Sequence, residues 1–212
     1  MAALGAQAIG ATVVTLNTRY KGAEAADVLR RSGARFLFSV KQFLDVDYPA
    51  LLQPFDLPDL IATVTLMVHS QSDDFASVLE KGRELLATED GEKSFTAAST
   101  TVTADTVSDI LFTSGTTGQA KGVVTDHGQN LVAFSAFVEI LGLDASDHYL
   151  IINPFFHSFG YKAGWLATMI AGATAFPLAV FDVPTVIAQV QKHRINVMPG
   201  PPTLFQSLLS HK

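Results

Sequence analysis

Hydrophobic and polar positions follow two different spacings that succeed one another along the chain. Runs rich in β-branched and aromatic residues predict strands, and apolar residues three or four positions apart predict helices. In the first half the predicted elements are helices at 1–9, 22–31 and 73–86 and strands at 12–16, 35–40 and 61–68. In the second half they are strands at 109–113, 148–153, 174–177 and 195–198 and helices at 126–141, 161–171, 184–192 and 202–209. Residues 45–60 contain three prolines and are predicted to form a connecting loop.

The order of these elements predicts the fold class. Strands separated by helices of this length favour parallel pairing with right-handed crossovers. We therefore expect an α/β fold, with parallel or mixed sheets flanked by helices. The segment 87–106 is rich in Thr, Ser, Ala, Asp and Glu and has no strong periodicity, which is typical of a boundary. The expected organisation is two αβ subdomains, 1–98 and 99–212.

Composition narrows the classes of function. Of the 212 residues 48% are hydrophobic and 16% are charged, which predicts a well-packed globular protein. The net charge of −6 argues against nucleic-acid binding. The chain has no cysteine and no histidine pair at ligand spacing, so we predict neither a disulfide nor a metal site built by the protein. The first 18 residues are apolar, but they lack the basic N-terminal region of a signal peptide and are interrupted by Gly5 and Gly10. We therefore expect no membrane segment and a cytoplasmic location.

The segment TSGTTGQAKG, residues 113–122, directly follows a predicted strand. Glycines permit close backbone approach to an anion, the hydroxyls are donors, and Lys121 supplies a mobile positive charge. These features predict a phosphate-binding loop. A Walker loop is disfavoured because Ala120 and Gly122 stand where it needs Gly and Ser or Thr, and no G-x-G-x-x-G pattern is present. The alternative is a plain surface turn.

This loop resembles the phosphate loop of the adenylate-forming superfamily, whose pattern is close to T-S-G-T-T-G-x-x-K-G. The segment NPFFHSFGYKAGW, 153–165, resembles that family's second core motif, and VMPGPPTLFQSLL, 197–209, resembles the strand and turn before its adenine-binding motif. Similarity also covers 10–24 and 32–38. Taken together, these motifs are most similar to those of bacterial fatty-acid-type acyl-CoA synthetases. Among these enzymes they are most similar to the ligases of a ring-containing propanoate left by steroid breakdown.

The resemblance implies a two-step reaction. A carboxylate attacks the α-phosphorus of Mg-ATP to give an acyl-adenylate and pyrophosphate, and coenzyme A then forms the thioester. The implied ligands are ATP, Mg²⁺, a fatty or steroid-derived acid, and coenzyme A as substrate. The residues implied to hold the β- and γ-phosphates are Thr113, Ser114, Gly115, Thr116, Thr117, Gly118 and Lys121.

The second motif supplies the implied acid-binding residues. His157 would lie where the carboxylate meets the phosphate and is the candidate catalytic residue, although a lone His is often a core residue. The further substrate-binding candidates are Phe159, Gly160, Trp165 and Gly200. The alternative for the aromatic residues Phe159 and Trp165 is that they belong to the hydrophobic core. The alternative for Gly200 is a rigid turn that opens a helix. Gly160 would leave room for the acyl group. Lys162 would face either a polar substrate group or solvent.

The resemblance also predicts what is missing. The family's adenine and magnesium motif, its ribose-binding Asp and its C-terminal domain with a catalytic Lys do not occur in this sequence. We therefore expect an internal fragment with impaired activity. The alternative is a non-catalytic nucleotide-binding, acyl-binding or self-associating chain, with a homo-oligomer as one form.

Overall fold

The computed structural model describes residues 2–66, 74–113 and 120–211. The chain divides into two compact units, Met1–His127 and Gly128–Lys212. In chain order the first unit contains α1 (Ala2–Ala8), β1 (Val13–Thr15), α2 (Gly22–Ser32), β2 (Phe36–Val40), β3 (Gln42–Phe43), β4 (Val46–Asp47), α3 (Tyr48–Leu52), β5 (Ala62–Leu66), α4 (Asp74–Leu86), α5 (Glu89–Thr100), β6 (Val107–Thr113) and β7 (Lys121–Asp126). The second contains α6 (His127–Leu141), which begins at the boundary, β8 (His148–Ile151), a π-helix (Phe159–Leu166), α7 (Ala167–Ala171), β9 (Thr174–Pro177), α8 (Val183–His193) and α9 (Pro202–Leu209).

The main sheet of the first unit has β6 at its centre. β1 pairs parallel with β6, from Val13 opposite Asp109 to Thr15 opposite Leu111. β7 pairs antiparallel on the other edge, ending with Thr113 opposite Lys121. The predicted boundary between 98 and 99 falls inside α5, whereas the structure divides the chain after His127, because β6 and β7 share a sheet with β1.

The remaining strands of the first unit form two small pairs. β2 and β5 are parallel, and each buries one apolar residue, Leu37 of β2 and Val64 of β5. β3 and β4 form an antiparallel hairpin that turns at Leu44 and Asp45, both with positive φ. α2 carries three buried apolar residues, Ala26, Val28 and Leu29, each at 4% exposure or less. This helix is therefore a firmly packed element.

The second unit is layered around the parallel pair β8–β9, in register from His148 opposite Thr174 to Ile151 opposite Pro177. Alternate residues of a strand point to opposite faces. On one face Leu150 and Ile152 pack with Val186 of α8 and Leu204 of α9. On the other, Tyr149 and Ile151 pack with Leu143 and are covered by Val138, Trp165 and Ala171. The expected α/β class, with parallel and mixed sheets flanked by helices, is confirmed.

The segment 87–106 shows no strong periodicity in the sequence, yet it contains the helix α5. The helix forms because of its N-terminus, where Thr88 Oγ1 accepts a hydrogen bond from the Gly91 N–H at 3.1 Å. Glu89, Asp90 and Glu92 add negative charge to the first turn, which the helix dipole favours. A cap of this kind defines a helix even where apolar periodicity is weak.

The strand β7 was not predicted, because the expected order of elements alternates strictly between strand and helix. Residues 121–126 were not predicted as a strand, yet they pair antiparallel with β6, and the next helix begins at His127. Conversely, the predicted strand 195–198 is reduced to a bridge between Val197 and Tyr149. The helix predicted over 161–171 begins earlier, at Phe159, with a π-helical stretch. The outer ends of two predicted elements, residues 67–68 and 73, lie outside the described residues.

Replacing Thr88 by Ala should lower the free energy of unfolding by about 1 kcal/mol, because the cap of α5 loses its acceptor. Urea unfolding followed by circular dichroism measures this change. The matched control is Thr96→Ala, an exposed position in the body of the same helix, where the substitution should be neutral or slightly stabilising. Equal losses in the two variants would contradict the assignment of Thr88 as the cap.

Candidate functional site

The hairpin formed by β6 and β7 carries the predicted phosphate loop. The chain leaves β6 at Thr113 and enters β7 at Lys121, so these residues mark the two ends of the loop. Ala120 is also described, just before β7. Five of the predicted loop residues lie outside the described residues, namely Ser114, Gly115, Thr116, Thr117 and Gly118.

Thr113 and Lys121 are brought together by strand pairing. They are cross-strand partners, and the Thr113 hydroxyl donates to the Lys121 carbonyl at 3.3 Å. Directly opposed residues of an antiparallel pair place their side chains on the same face of the sheet. Both residues are exposed, and Lys121 makes no ion pair within the part of the chain that the structure describes. Its ammonium is therefore available to a ligand.

Arg31, in the last turn of α2, contacts the same end of the hairpin. Its Nη1 donates to the Ala120 carbonyl at 2.7 Å and to Asp27 Oδ2 at 3.1 Å. Its guanidinium carbon lies 5.3 Å from the centre of the Phe112 ring. Arg31 was not predicted from the sequence, because no local spacing links residue 31 to residue 120.

A buried polar network fixes β6 itself. Asp109 is completely buried, and its two carboxylate oxygens accept hydrogen bonds from Ser108 Oγ and Thr125 Oγ1, both at 2.9 Å. Gln7 of α1 donates to Ser108 Oγ at 2.8 Å. The network thus ties β6 to β7 and to α1, four residues before the loop begins. The network was not predicted from the sequence, although a lone Asp beside an apolar run is a signal that could have indicated it.

The second predicted motif forms the turn after β8 and the π-helix. The His157 N–H donates to the Pro154 carbonyl at 3.1 Å, and the His157 carbonyl accepts from the Tyr161 N–H at 2.9 Å. The imidazole lies 4.6 Å from the Phe156 ring and is exposed. His157 is therefore not a core histidine, and its ring is accessible to a ligand.

Gly160 has a structural requirement of its own. A side chain there would place its Cβ 2.2 Å from the Asn153 carbonyl oxygen and 2.3 Å from that of Pro154. At Gly164 a Cβ would lie 2.8 Å from Ile151 Cγ2. These two glycines allow the π-helix to pack directly against the chain leaving β8. At Gly160 the space of a side chain is filled by backbone, which explains the glycine without a ligand.

The aromatic candidates divide between surface and core. Phe159 is 38% exposed at the start of the π-helix. Trp165 lies 5.5 Å from Tyr161 and 6.3 Å from Phe155 between ring centres, and it packs against the cluster of Leu143, Tyr149 and Ile151. Trp165 is thus at least partly a core residue.

Two polar side chains are buried around the π-helix. Tyr149 donates its hydroxyl to the Ala163 carbonyl at 2.8 Å, and burial raises the pKa of Tyr149 to about 12. Lys162 is only 4% exposed, so the interpretation that it faces solvent is wrong. π-Helical turns are frequent at functional sites, and here one places an amine inside the fold.

Gly200 begins the turn into α9. Its Cβ would lie 3.1 Å from Leu204 Cδ1, and Pro202 occupies the first position of the helix. This geometry fits the rigid-turn alternative. His157, Phe159, Gly160, Trp165 and Gly200 all belong to the second unit, whereas Thr113 and Lys121 belong to the first.

Comparison with known proteins now assigns the family. The model of the family described as AMP-binding enzyme matches residues 1–212. The chain belongs to the AMP-binding enzyme family. The predicted resemblance to the adenylate-forming superfamily is thereby confirmed for the chain as a whole.

Relatives of this AMP-binding chain include a CoA ligase of Rhodococcus jostii (strain RHA1), named 3-[(3aS,4S,7aS)-7a-methyl-1,5-dioxo-octahydro-1H-inden-4-yl]propanoyl:CoA ligase. It is 44% identical over 213 residues, which cover 100% of this chain and 41% of the relative. The chain thus spans about two fifths of that protein's length.

Solved structures show the same fold. The N-terminal domain of FACL13 from Mycobacterium tuberculosis has a TM-score of 0.76 at 19% identity, over 99% of this chain and 48% of that one. The O-succinylbenzoate coenzyme A synthetase (MenE) of Bacillus subtilis, in complex with ATP and magnesium ion, has a TM-score of 0.68 at 22% identity, over 100% of this chain and 40% of that one.

The described part of the AMP-binding chain offers neither a metal-binding cluster of its own nor a helix that could span a membrane. No group of three or more His, Cys, Asp or Glu residues able to hold a metal ion occurs within residues 2–66, 74–113 and 120–211. Over the same ranges, every helix is too short or too polar to cross a membrane.

Gly160→Ala should lower the free energy of unfolding by about 2 kcal/mol or more, because the added methyl group would overlap backbone that cannot move freely. Urea unfolding measures the loss. Gly82→Ala is the matched control, since nothing lies within 4 Å of its added Cβ and the helix α4 should gain about 1 kcal/mol. Full tolerance of Ala at 160 would contradict the close packing described here.

The stability of the second unit should fall at high pH. Burial raises the pKa of Tyr149 from 10.0 to about 12, so its contribution to stability is complete below about pH 10 and is lost as the pH rises through about 12. Unfolding measured from pH 8 to pH 12 should show this loss in the wild type. In Tyr149→Phe the profile should be flatter, with about 1 kcal/mol less stability at neutral pH. Parallel profiles would exclude Tyr149 as the cause.

Proposed function

We propose that this chain is the phosphate-binding part of an ATP-dependent acid–thiol ligase that forms an acyl-adenylate and then an acyl-CoA. The observation that carries the proposal is the β6–β7 hairpin. It places Thr113 and an accessible Lys121 as neighbours at the two ends of a loop rich in glycine and hydroxyl residues. Membership of the AMP-binding family and 44% identity to a CoA ligase support the same activity.

The described ends of the loop have the chemistry that ATP requires. A polyphosphate is bound by hydroxyl and backbone N–H donors and by positive charge that lies close to it. Lys121 is exposed at the end of the hairpin, and the Arg31 side chain donates to the carbonyl of the neighbouring Ala120. Ser114, Gly115, Thr116, Thr117 and Gly118 would complete the donor set around the β- and γ-phosphates.

Magnesium would arrive with the nucleotide, by analogy with MenE, which was solved in complex with ATP and magnesium ion. When bound, the ion supplies charge neutralisation on the phosphate oxygens. The residues of this chain would hold and orient the phosphates around it. The first step depends mainly on positioning and on neutralised charge, so these contacts are where the chain would contribute most.

The acid would be bound by the second unit. His157 offers an accessible imidazole, which can donate a hydrogen bond to a carboxylate or phosphate oxygen. Phe159 and Trp165 would contact the acyl group, and Gly160 and Gly200 would shape the backbone around it. Coenzyme A would enter as the second substrate.

The acid itself is proposed by analogy. The Rhodococcus jostii relative is named for a propanoyl group on a 7a-methyl-1,5-dioxo-octahydro-1H-indene ring system, and its identity with this chain is 44%. A fatty acid is the other member of the proposed class. We therefore propose a fatty or steroid-derived carboxylic acid, activated in the cytoplasm.

Titration of the chain with ATP and magnesium tests the proposal. Lys121→Gln should weaken ATP binding by about tenfold, because a charge-assisted contact to phosphate is lost. Lys192→Gln, which removes an exposed cation in the last turn of α8, should leave the affinity unchanged. Isothermal calorimetry measures binding, and isotopic exchange between pyrophosphate and ATP in the presence of the acid measures the first chemical step.

The outcomes separate the two candidate functions. Acid-dependent exchange would support the ligase, with a low rate expected if activity is impaired in this chain. Binding without exchange would favour a non-catalytic nucleotide- or acyl-binding chain. Absence of ATP binding, or equal effects of the two lysine variants, would count against the ligase and against a nucleotide-binding chain, and would leave acyl binding or self-association as the second candidate.

Exposed apolar residues favour self-association as part of the second candidate. Val132 and Ile140 on α6 are 75% and 82% exposed, and Leu209 at the end of α9 is 86% exposed. Apolar side chains exposed to this degree are common at protein interfaces. Sedimentation analysis over a range of protein concentration would detect a homo-oligomer.

A further inference from the structure

We propose that Arg31 is a positioning residue for the phosphate-binding hairpin. Its guanidinium fixes the carbonyl of Ala120, the residue that joins the glycine-rich loop to Lys121. This inference rests on the proposed function, because it assigns Arg31 a role in holding Lys121 where phosphate binds. Arg31 itself is not proposed to touch the nucleotide.

Three contacts define the position of Arg31. Nη1 directs its two N–H groups to different acceptors, the Ala120 carbonyl at 2.7 Å and Asp27 Oδ2 at 3.1 Å. The flat face of the guanidinium lies over Phe112, with 5.3 Å from Cζ to the ring centre. Since Phe112 and Ala120 stand on the two sides of the loop, one side chain contacts both sides.

The bond to Ala120 acts on Lys121 through the planar peptide. The Ala120 carbonyl, the Lys121 N–H and the Lys121 Cα lie in one plane, because rotation about the peptide bond is restricted. Fixing the Ala120 carbonyl therefore restricts the position of the Lys121 Cα, to which the lysine side chain is attached. Thr113 Oγ1, which donates to the Lys121 carbonyl at 3.3 Å, holds the other side of the same residue.

The support behind Arg31 is rigid. Arg31 lies in the last turn of α2, whose residues Ala26, Val28 and Leu29 are buried. Gly33 ends this helix in the left-handed conformation with a φ of 61°, and its N–H bonds to the Arg30 carbonyl. A side chain held by a packed element positions its partner better than one on a mobile segment.

An arginine suits these contacts better than a lysine. The guanidinium is planar and directs several N–H groups in fixed directions, so one group can serve two acceptors while its face covers an aromatic ring. A lysine ammonium keeps the charge but has no face to place over Phe112. Charge and geometry can therefore be separated by experiment.

Arg30 provides a matched control within the same helix. Its Nε donates to the Asp56 carbonyl at 2.9 Å, and its Cζ lies 6.0 Å from the Phe55 ring centre. It makes the same kinds of contact as Arg31, but to a segment that is not part of the hairpin. Substituting either arginine by glutamine removes one positive charge, one hydrogen bond to a carbonyl and one contact with an aromatic ring, but only Arg31 contacts Ala120.

The experiment compares Arg31→Gln, Arg31→Lys and Arg30→Gln with the wild-type chain. Calorimetry measures ATP affinity, and NMR hydrogen exchange measures the amide protection of Lys121 and Gly122 without nucleotide. Arg31→Gln should weaken ATP binding by about fivefold to tenfold and reduce protection at these two amides. Arg31→Lys should recover only part of both, and Arg30→Gln should resemble the wild type.

The results separate positioning from charge and from general stability. Full recovery by Arg31→Lys would overturn the inference, because charge alone would then suffice. Equal effects of Arg30→Gln and Arg31→Gln, or a common fall in melting temperature without a specific change at Lys121, would also overturn it. Failure of the wild-type chain to bind ATP would overturn the proposed function instead. The amide hydrogen exchange of Lys121 and Gly122 would still decide whether Arg31 anchors the hairpin.

Discussion

The pairing of β6 with β7 is the constraint on which the phosphate-binding site depends. Antiparallel pairing puts Thr113 opposite Lys121, so the loop between them must leave and return at neighbouring points. A shift of this register by one residue would turn Lys121 to the opposite face of the sheet. The buried network around Asp109 opposes such a shift, because Thr125 of β7 donates a hydrogen bond to the buried Asp109 carboxylate of β6. A polar network deep in the sheet thus determines where a surface lysine stands.

In the second unit the corresponding constraint is the wide turn of the π-helix. A π-helix has i→i+5 hydrogen bonds, so its side chains point in directions different from those of an α-helix. The residues packed around it must leave room for its wider turn. Gly160 and Gly164 permit the close approach to β8, and the Tyr149 hydroxyl satisfies the Ala163 carbonyl. His157 directly precedes this helix and stays accessible while Tyr161 and Lys162 are buried. The turn therefore separates an exposed imidazole from a buried amine within a few residues.

The sequence predicted features that depend on local patterns and missed those that depend on distant contacts. The strand before the loop, the α/β class and most helices follow from periodicity, and α9 has its predicted bounds of 202–209. β7 was missed because Lys121–Asp126 becomes a strand only by pairing with β6. Arg31 and Ala120 are 89 positions apart, so no spacing rule connects them. The roles of the residues that bind substrate came from the family resemblance, and those roles remain predictions.

The contacts of Arg31 are half-exposed, which raises the question of why they would matter. The side chains of Arg31 and Asp27 are 36% and 41% exposed, and an ion pair of this kind adds little to overall stability because water screens it. Its effect on a binding loop follows a different rule. A loop that must hold a phosphate loses affinity in proportion to the fraction of time it spends elsewhere. A weak contact that restricts one peptide plane beside Lys121 can thus change binding severalfold while the melting temperature stays the same. For that reason the residues that tune such a site are better sought among contacts to its ends than among the residues that stabilise the core.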